Sequence, residues 1–349
     1  MKDAEGEIIS LFREYPLAKR ARLSLRSTEI ENALSTLLSE LRPNVISAHN
    51  IHTYLSYGSL ETAKKFTSKI FLTAHDTFLV SFDRVRGERY ERAALRGEGY
   101  RMHLFDHVQV AGRKYFPLRN FTIRKILRNT GTKVIAISTA TKKILEANGI
   151  RVESVIHNGI AVTLPREKPQ SSHPTVLFGG RVSLDKGIGA LLDAMELVLQ
   201  ELPEAQLLLV GEKSRIEPEL QGVSSSLRSA IRLTGWLSQE ELRLAYASAD
   251  VVTTPSLYLD NFPTINLEAM EGAKPIIGTC FGGTPEVVED TVTGIILHPR
   301  DTKKFADSLL MLLRDPTKAK KMGEAGRKRI EEHFSLHAQA DAYLRLFQQ

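Results

Sequence analysis

Residues 175–187 read Thr175-Val176-Leu177-Phe178-Gly179-Gly180-Arg181-Val182-Ser183-Leu184-Asp185-Lys186-Gly187. A short run of strand character meets two glycines, an arginine, a lysine five positions on, and a glycine that opens an amphipathic stretch. That order spells a buried strand, a tight turn and a helix start. Glycines let a phosphate approach the backbone, the guanidinium of Arg181 offers a planar fork, and Lys186 offers a point charge. The same residues also suit a plain surface turn with two cations. The stretch therefore sets a local fold before it sets a chemistry.

Outward from this turn, short β-branched runs alternate with amphipathic stretches. Downstream strands are predicted at 175–178, 206–210, 231–233, 251–254, 275–278 and 294–297. Helices are predicted near 187–200, 239–247, 264–272 and 302–313, with a last one at 336–347. Upstream, strands at 45–48, 70–73, 134–137 and 152–156 and a helix at 139–148 repeat the theme. Such alternation builds parallel sheets covered by helices. Between the halves, residues 157–174 hold Pro165, Pro169, Ser171, Ser172 and Pro174 without any period, the composition of a linker. The expected organisation is two Rossmann-like α/β domains, 1–160 and 174–334, with the helix at 335–349 crossing back onto the first. A ligand cleft is expected between the carboxyl ends of their strands.

The 349 residues are 42% hydrophobic and 25% charged, which supplies apolar material for two cores. No apolar run approaches the ~18 residues of a membrane-crossing helix. Residues 1–20 carry charges throughout, which predicts no secretory signal. Cys280 is the only cysteine, so a disulfide scaffold and a cysteine-based zinc cluster are excluded and a cytoplasmic setting is expected. The net charge of +6 is uneven: residues 1–150 hold 25 Lys+Arg against 15 Asp+Glu, and residues 81–130 hold 12 against 5. Such a patch can serve an anionic membrane surface, a phosphorylated substrate or nucleic acid, or it can be a solvated basic region. No aromatic RNA platform or zinc finger accompanies it, so nucleic acid is not an expected partner.

Two further motifs follow predicted strands. Asp260-Asn261-Phe262-Pro263-Thr264-Ile265-Asn266-Leu267-Glu268 runs into a helix. Pro263 suits a helix start, where its missing N–H would be unbonded anyway. The amides just beyond it form an anion site. A carboxylate one turn further in, Glu268, can accept hydrogen bonds from two ribose hydroxyls. A capped helix with Glu268 solvated on its outer face fits these residues as well. Gly282-Gly283-Thr284-Pro285-Glu286 follows the strand at 275–278. Its glycines permit close approach of a sugar or phosphate, or simply make a turn.

Taken in order, these segments resemble the retaining family 4 glycosyltransferases, the glycosyl transferases group 1. The resemblance runs from about residue 42 to the C-terminus. It is carried by Gly180-Arg181 and Lys186-Gly187, by Asn261-Phe262-Pro263 leading to Glu268-Ala269-Met270, and by Gly282-Gly283-Thr284-Pro285-Glu286-Val287-Val288. His157-Asn158-Gly159 and Lys321-Met322-Gly323 add to it. It implies the GT-B fold, an α/β architecture of two facing, Rossmann-like, doubly wound domains. It implies that Arg181 and Lys186 bind the diphosphate of a nucleotide-sugar donor and that Glu268 holds the ribose. Asn261, Phe262, Pro263, Thr264 and Ile265 would serve the phosphates and the transferred sugar, with Gly179, Gly180 and Gly211 at the donor's side. Trp236 and Leu237 match the loop near the nucleobase, although Trp236 also reads as a core residue. Asp260 stands where the family usually has Glu and reaches one methylene less far. His75, in Leu72-Thr73-Ala74-His75-Asp76, matches the histidine that contacts the donor sugar; on its own it reads as a structural histidine. His49-Asn50 would border the acceptor, and Ser138-Thr139 would do so or cap a helix.

The resemblance further implies sugar transfer with retention by a same-face displacement. His75, Arg181, Lys186 and Asp260 form the expected catalytic set. Arg181, Lys186 and the helix-terminus amides would stabilise the departing diphosphate, one such donor being worth about 3 kcal/mol. No metal and no cofactor is expected. The family's opening strand, glycine loop and helix do not show in residues 1–43, which read as helices at 4–14 and 27–40. The N-terminal domain is therefore expected to be incomplete, with a partner chain as one way of completing it. The expected acceptor is a glycan or a lipid-linked glycan, as in polysaccharide biosynthesis. Peripheral contact with the inner membrane face would run through the basic segment 84–128, with Tyr90, Tyr100, Phe105, Tyr115 and Phe116. The competing expectations are a catalytically inactive or split-enzyme donor-binding subunit, and a nucleotide-sugar epimerase of the same fold.

Overall fold

The computed structural model describes residues 20–112, 115–163, 173–180 and 183–349. The predicted helix at 4–14, Arg181, and residues 164–172 of the linker lie outside the described residues. The first half runs α1 (Arg20–Leu23), α2 (Thr28–Leu41), β1 (Val45–His49), α3 (Gly58–Ala63), β2 (Lys69–Ala74), α4 (Glu88–Leu95) and α5 (Leu104–Ala111). It continues through α6 (Arg119–Thr130), β3 (Lys133–Ala136), α7 (Thr139–Ala147) and β4 (Val152–Val155). The second half runs β5 (Thr175–Gly179), α8 (Ile188–Glu201), β6 (Gln206–Val210), α9 (Lys213–Ile216), α10 (Ser225–Ala230), β7 (Ile231–Gly235) and α11 (Gln239–Ser248). Then come β8 (Val251–Thr254), α12 (Thr264–Glu271), β9 (Ile276–Thr279), α13 (Thr284–Val287) and β10 (Gly294–Leu297). Three helices close the chain: α14 (Thr302–Arg314), α15 (Pro316–His333) and α16 (Leu336–Gln348).

The chain divides into two compact units. One holds residues up to Thr73 together with Phe78–Phe82 and His103–Lys133. The other holds Ala74–Thr77, Asp83–Met102 and everything from Val134 onward.

In the first unit β1 and β2 pair in parallel, Val45 opposite Lys69. No side chain caps α2; instead Glu31, one turn in, accepts the backbone N–H of Ser27 at 2.9 Å. Arg119 on α6 is 2% exposed and donates to the carbonyls of Phe78 and Ser81. One cation of the basic segment is thus a buried tie between α6 and the loop at 78–82, not a surface charge.

The second unit is built on a six-stranded sheet of order β10-β9-β8-β5-β6-β7, parallel throughout. Its central strands are buried on both faces, which is why they read as continuous apolar runs. On one face Ile188, Leu191, Met195 and Val198 of α8 pack with Phe305, Leu309 and Leu312 of α14. On the other, Tyr246 of α11, Leu267 and Met270 of α12 and Ile330 of α15 cover Leu177, Val252 and Ile276. Each such side chain contributes roughly 1.5–3 kcal/mol by leaving water. β3 and β4 form a further parallel pair in this unit. The strand order reverses at one place: β5 leads to β6 and β7 on one side, and β8 leads to β9 and β10 on the other. Ligands of such sheets bind at that switch, outside the carboxyl ends of the strands.

Candidate functional site

The loops leaving β5 and β8 meet at the switch. Lys186 closes a 3₁₀ turn, Leu184–Lys186, after β5, and Asp260 lies six residues beyond β8. The ammonium of Lys186 donates to Asp260 Oδ2 at 2.5 Å, and the Tyr258 hydroxyl donates to the same oxygen at 3.1 Å. Lys186 also stands 5.3 Å over the Tyr258 ring. Burial disfavours the charged ammonium, but Asp260 and Tyr258 more than offset it, so the pKa of Lys186 is raised. The Tyr258 hydroxyl is raised by burial and then by Asp260.

Backbone contacts lock this arrangement. Leu257 N–H donates to Asp185 O at 2.8 Å, and Gly283 N–H donates to Asp260 O at 2.8 Å. Gly187 has φ +79° and lies so close to the Pro255 carbonyl that a Cβ would stand 1.9 Å from its oxygen. Gly282, at φ +66°, meets the Asp260 carbonyl in the same way at 2.1 Å. Gly187 of the first motif and Gly282 of the third are therefore required by loop-to-loop approach, whatever ligand the loops hold.

The other motif residues divide between open and packed. Gly180 has open space where a side chain would be, and Gly179 sits against Ile265. Gly211 N–H donates to Gly235 O at 3.1 Å, joining the ends of β6 and β7. Trp236, just after β7, is 68% exposed, so its reading as a core residue is not realised; Leu237 packs against the core. Phe262 is buried against His157 and Phe334, and Asn261 Oδ1 accepts from Thr141 Oγ1 at 2.9 Å. Pro263 is the N-cap of α12, and among the described residues no side chain caps that helix, so its first amides, those of Thr264 and Ile265, have no capping side chain. Glu268 accepts from the buried Tyr246 hydroxyl at 2.6 Å and lines a cavity of about 330 Å³ with Gln239, Leu242 and Arg243.

Three sequence candidates, one residue without an assigned role and one tyrosine of the basic segment remain to be placed. His75 directly follows β2 and is half-buried. Ser138 caps α7, its Oγ accepting from Thr141 N–H at 3.0 Å, which is the helix-capping alternative. His49 Nε2 lies 3.2 Å from Ser47 Oγ. Glu286, quoted in the third motif without a role, accepts the amides of Thr139 and Ala140 at 2.8 and 2.9 Å and contacts His157 Nε2 at 3.0 Å. Burial would raise its pKa, but those hydrogen bonds win and hold it below the ordinary glutamate value. Tyr90 is 2% exposed and accepts from Gly282 N–H at 3.2 Å, so it supports the third motif's turn instead of a membrane surface. Tyr258, Tyr246, Asp185 and Glu286 are the residues that sequence reasoning left without a role. Among the described residues no group of three His, Cys, Asp or Glu could hold a metal ion.

Comparison with known proteins bears on this arrangement. Residues 163–329 match the family model described as Glycosyl transferases group 1. Over 168 residues the chain is 30% identical to a GDP-mannose-dependent monoacylated alpha-(1-6)-phosphatidylinositol monomannoside mannosyltransferase of Corynebacterium glutamicum, covering 46% of this chain and 44% of that protein. The chain spans about half the length of the curated relatives it matches. Sucrose-phosphate synthase from Thermosynechococcus elongatus superposes with a TM-score of 0.70 at 23% identity, covering 92% of this chain and 77% of that one. Anabaena HepE, solved in complex with UDP, gives 0.69 at 18% identity over 91% and 82%. These superpositions extend the likeness from the matched segment to the fold of nearly the whole chain. The chain is an α/β protein of GT-B fold, and residues 163–329 carry its match to the glycosyl transferases group 1 domain.

Proposed function

We propose that this chain transfers a sugar from a nucleotide-sugar donor to a glycan or lipid-linked glycan, with retention of configuration and without a metal. The observation that carries the reading is the Lys186–Asp260 pair at the switch point of the sheet, beside the uncapped amino end of α12. In this reading Lys186 and the amides of Thr264 and Ile265 neutralise the charge that grows on the diphosphate as its bond to sugar breaks. Asp260 orients Lys186 and accepts from a hydroxyl of the donor sugar, with His75 as a second contact to that sugar and Arg181 as a second cation on the diphosphate. Glu268 accepts from the ribose and Trp236 flanks the base. The relative that uses GDP-mannose and the neighbour solved with UDP support a nucleoside diphosphate as the leaving group.

The acceptor is proposed to be presented at the cytoplasmic face of a membrane. Leu104, Phe105, Val108, Leu118 and Phe121 are large apolar side chains left exposed within the basic segment. The named substrate of the mannosyltransferase relative is itself a phosphatidylinositol mannoside, which supports a lipid-borne acceptor.

Trp236 is the only tryptophan, so its emission reports on the proposed base site alone. A panel of UDP-, GDP- and ADP-sugars is expected to contain one that shifts this emission. At a hundred times its dissociation constant that donor raises stability by about 2.7 kcal/mol. With that donor, a membrane extract as acceptor and a chelator present, the product is expected to keep the donor's anomeric configuration by NMR. Binding without transfer to any acceptor favours the donor-binding subunit, and donor isomerisation without acceptor favours the epimerase.

A further inference from the structure

The three residues Arg84-Val85-Arg86 touch both loops that present the Lys186–Asp260 pair. Toward the loop after β5, the Arg86 guanidinium engages both carboxylate oxygens of Asp185, and Arg84 lies 3.4 Å from the same carboxylate. Asp185 is the neighbour of Lys186 within one 3₁₀ turn. Toward the loop after β8, Arg86 forms an antiparallel bridge with Tyr258, and Leu259 N–H donates to Val85 O at 2.9 Å. The Arg84 guanidinium stands 4.8 Å over the Tyr258 ring, whose hydroxyl reaches Asp260. Val85 is 2% exposed, which anchors the segment between its two arginines. The contacts close a ring: Arg84 to Tyr258, Tyr258 to Asp260, Asp260 to Lys186, and through Asp185 back to the arginines.

We propose that Arg84 and Arg86 are positioning residues of the diphosphate site, setting through Asp185 and Tyr258 where Lys186 and Asp260 stand. An isolated exposed ion pair would be too weak for this task. Here Asp185 and Arg84 are each only about a quarter exposed, two guanidiniums share one carboxylate, and two backbone links hold the same segment. Positioning matters because a group displaced by a fraction of a hydrogen-bond length loses most of its hold on a developing charge. The inference rests on reading the Lys186–Asp260 pair as a diphosphate site.

The test uses the full chain, titrated calorimetrically with UDP, GDP and ADP and with the matching monophosphates. R84A/R86A and D185N are each expected to weaken binding of the preferred diphosphate about tenfold and of its monophosphate by less than about twofold. D185N is the sharper variant. It removes a negative charge and frees both arginines, so direct phosphate contact by Arg84 and Arg86 would make D185N bind more tightly. That result overturns the proposal, as does equal loss of di- and monophosphate, which marks a merely structural role. R84K/R86K keeps the charges without the fork and is expected to recover part of the loss, with thermal midpoints reporting that each variant is folded. Variants that all match an unaltered chain that binds overturn the positioning role alone. An unaltered chain that binds none of the three diphosphates overturns the reading of the site and the positioning role with it.

Discussion

Lys186 is the residue on which the proposed chemistry turns. Removing one preorganised donor to a developing oxyanion typically costs about 3 kcal/mol, so K186A is expected to lower kcat/KM for transfer roughly a hundredfold. K186R keeps the charge but brings a planar fork into a place fitted to a point donor 2.5 Å from Asp260, and full activity is not expected to return. The folded pKa of Lys186 is raised above the ordinary lysine value of 10.5, so its charge and its share of stability are complete below that pH. Both are lost only as pH rises through the folded value. A second residue titrates in the opposite sense. His52 is stacked on Phe78 at 4.7 Å, and burial, then Arg20 and Arg119, push its pKa down to about 3. The unfolded chain takes up this proton near 6.5 and the folded chain does not, so stability is expected to fall as pH drops from 6.5 toward about 3. The slope is about 1.4 kcal/mol per pH unit. Denaturant unfolding of H52Q should lose this share of the slope, read between pH 6.5 and about 4.5 where Glu286 does not yet titrate. The paired glycines, Lys186 and Pro263 were legible in the sequence because turns and helix starts demand particular residue types. The Arg84–Asp185 and Arg86–Asp185 pairs were not, since about a hundred residues separate the partners and nothing local marks them.

Among elements, α7 and the turn after β9 depend on one carboxylate. Glu286 satisfies two of the amides that the start of α7 would otherwise leave open, and it also contacts His157. Hydrogen bonds to a charged group are worth about 1.5–3 kcal/mol. E286A is therefore expected to lower stability by roughly 2 kcal/mol in denaturant unfolding, and E286Q by less, because its amide oxygen still accepts. The folded pKa of Glu286 lies below the ordinary 4.5, so its contribution is full above that value and fades as pH falls through the folded one. E286A should flatten that acid limb. Strand periodicity carried most of the sheet: β6, β8 and β10 lie where the sequence places them, and β5, β7 and β9 are displaced or extended by one or two residues. Helix α15 was missed for a physical reason. Its eighteen residues are polar and hold Gly323 and Gly326, which look like helix breakers. In the fold those glycines let α15 lie directly against the end of α12: a Cβ on Gly323 would be 1.9 Å from Ala273 O, and Gly326 abuts Met270. The packing requirement that selects glycine there is tertiary, so no window of sequence reveals it.

The charge of the whole molecule is not spread as its sequence count suggests. Of the cations in the basic segment, Arg119 is buried, Arg84 and Arg86 are held by Asp185, and Arg96 pairs with Glu98. What stays exposed on α5 and α6 is a mixture of large apolar side chains (Leu104, Phe105, Val108 and Phe121) and the cations Lys125 and Arg128. No helix of the described residues is long and apolar enough to cross a membrane. The physics of such a surface is interfacial: apolar side chains enter the headgroup boundary while cations meet anionic lipid. Each cation near such a surface contributes about 1 kcal/mol, and salt screens that part alone. Sedimentation with vesicles of phosphatidylglycerol and phosphatidylcholine is thus expected to pull down the chain at low salt and progressively less as salt rises. K125Q/R128Q should reduce the salt-sensitive part, with affinity falling about thirtyfold for two cations. F105S/F121S should weaken binding at every salt concentration and leave the salt dependence as it was. Equal binding to vesicles of phosphatidylcholine alone would assign the surface to an uncharged partner, and the proposed lipid-borne acceptor would then lose its electrostatic support.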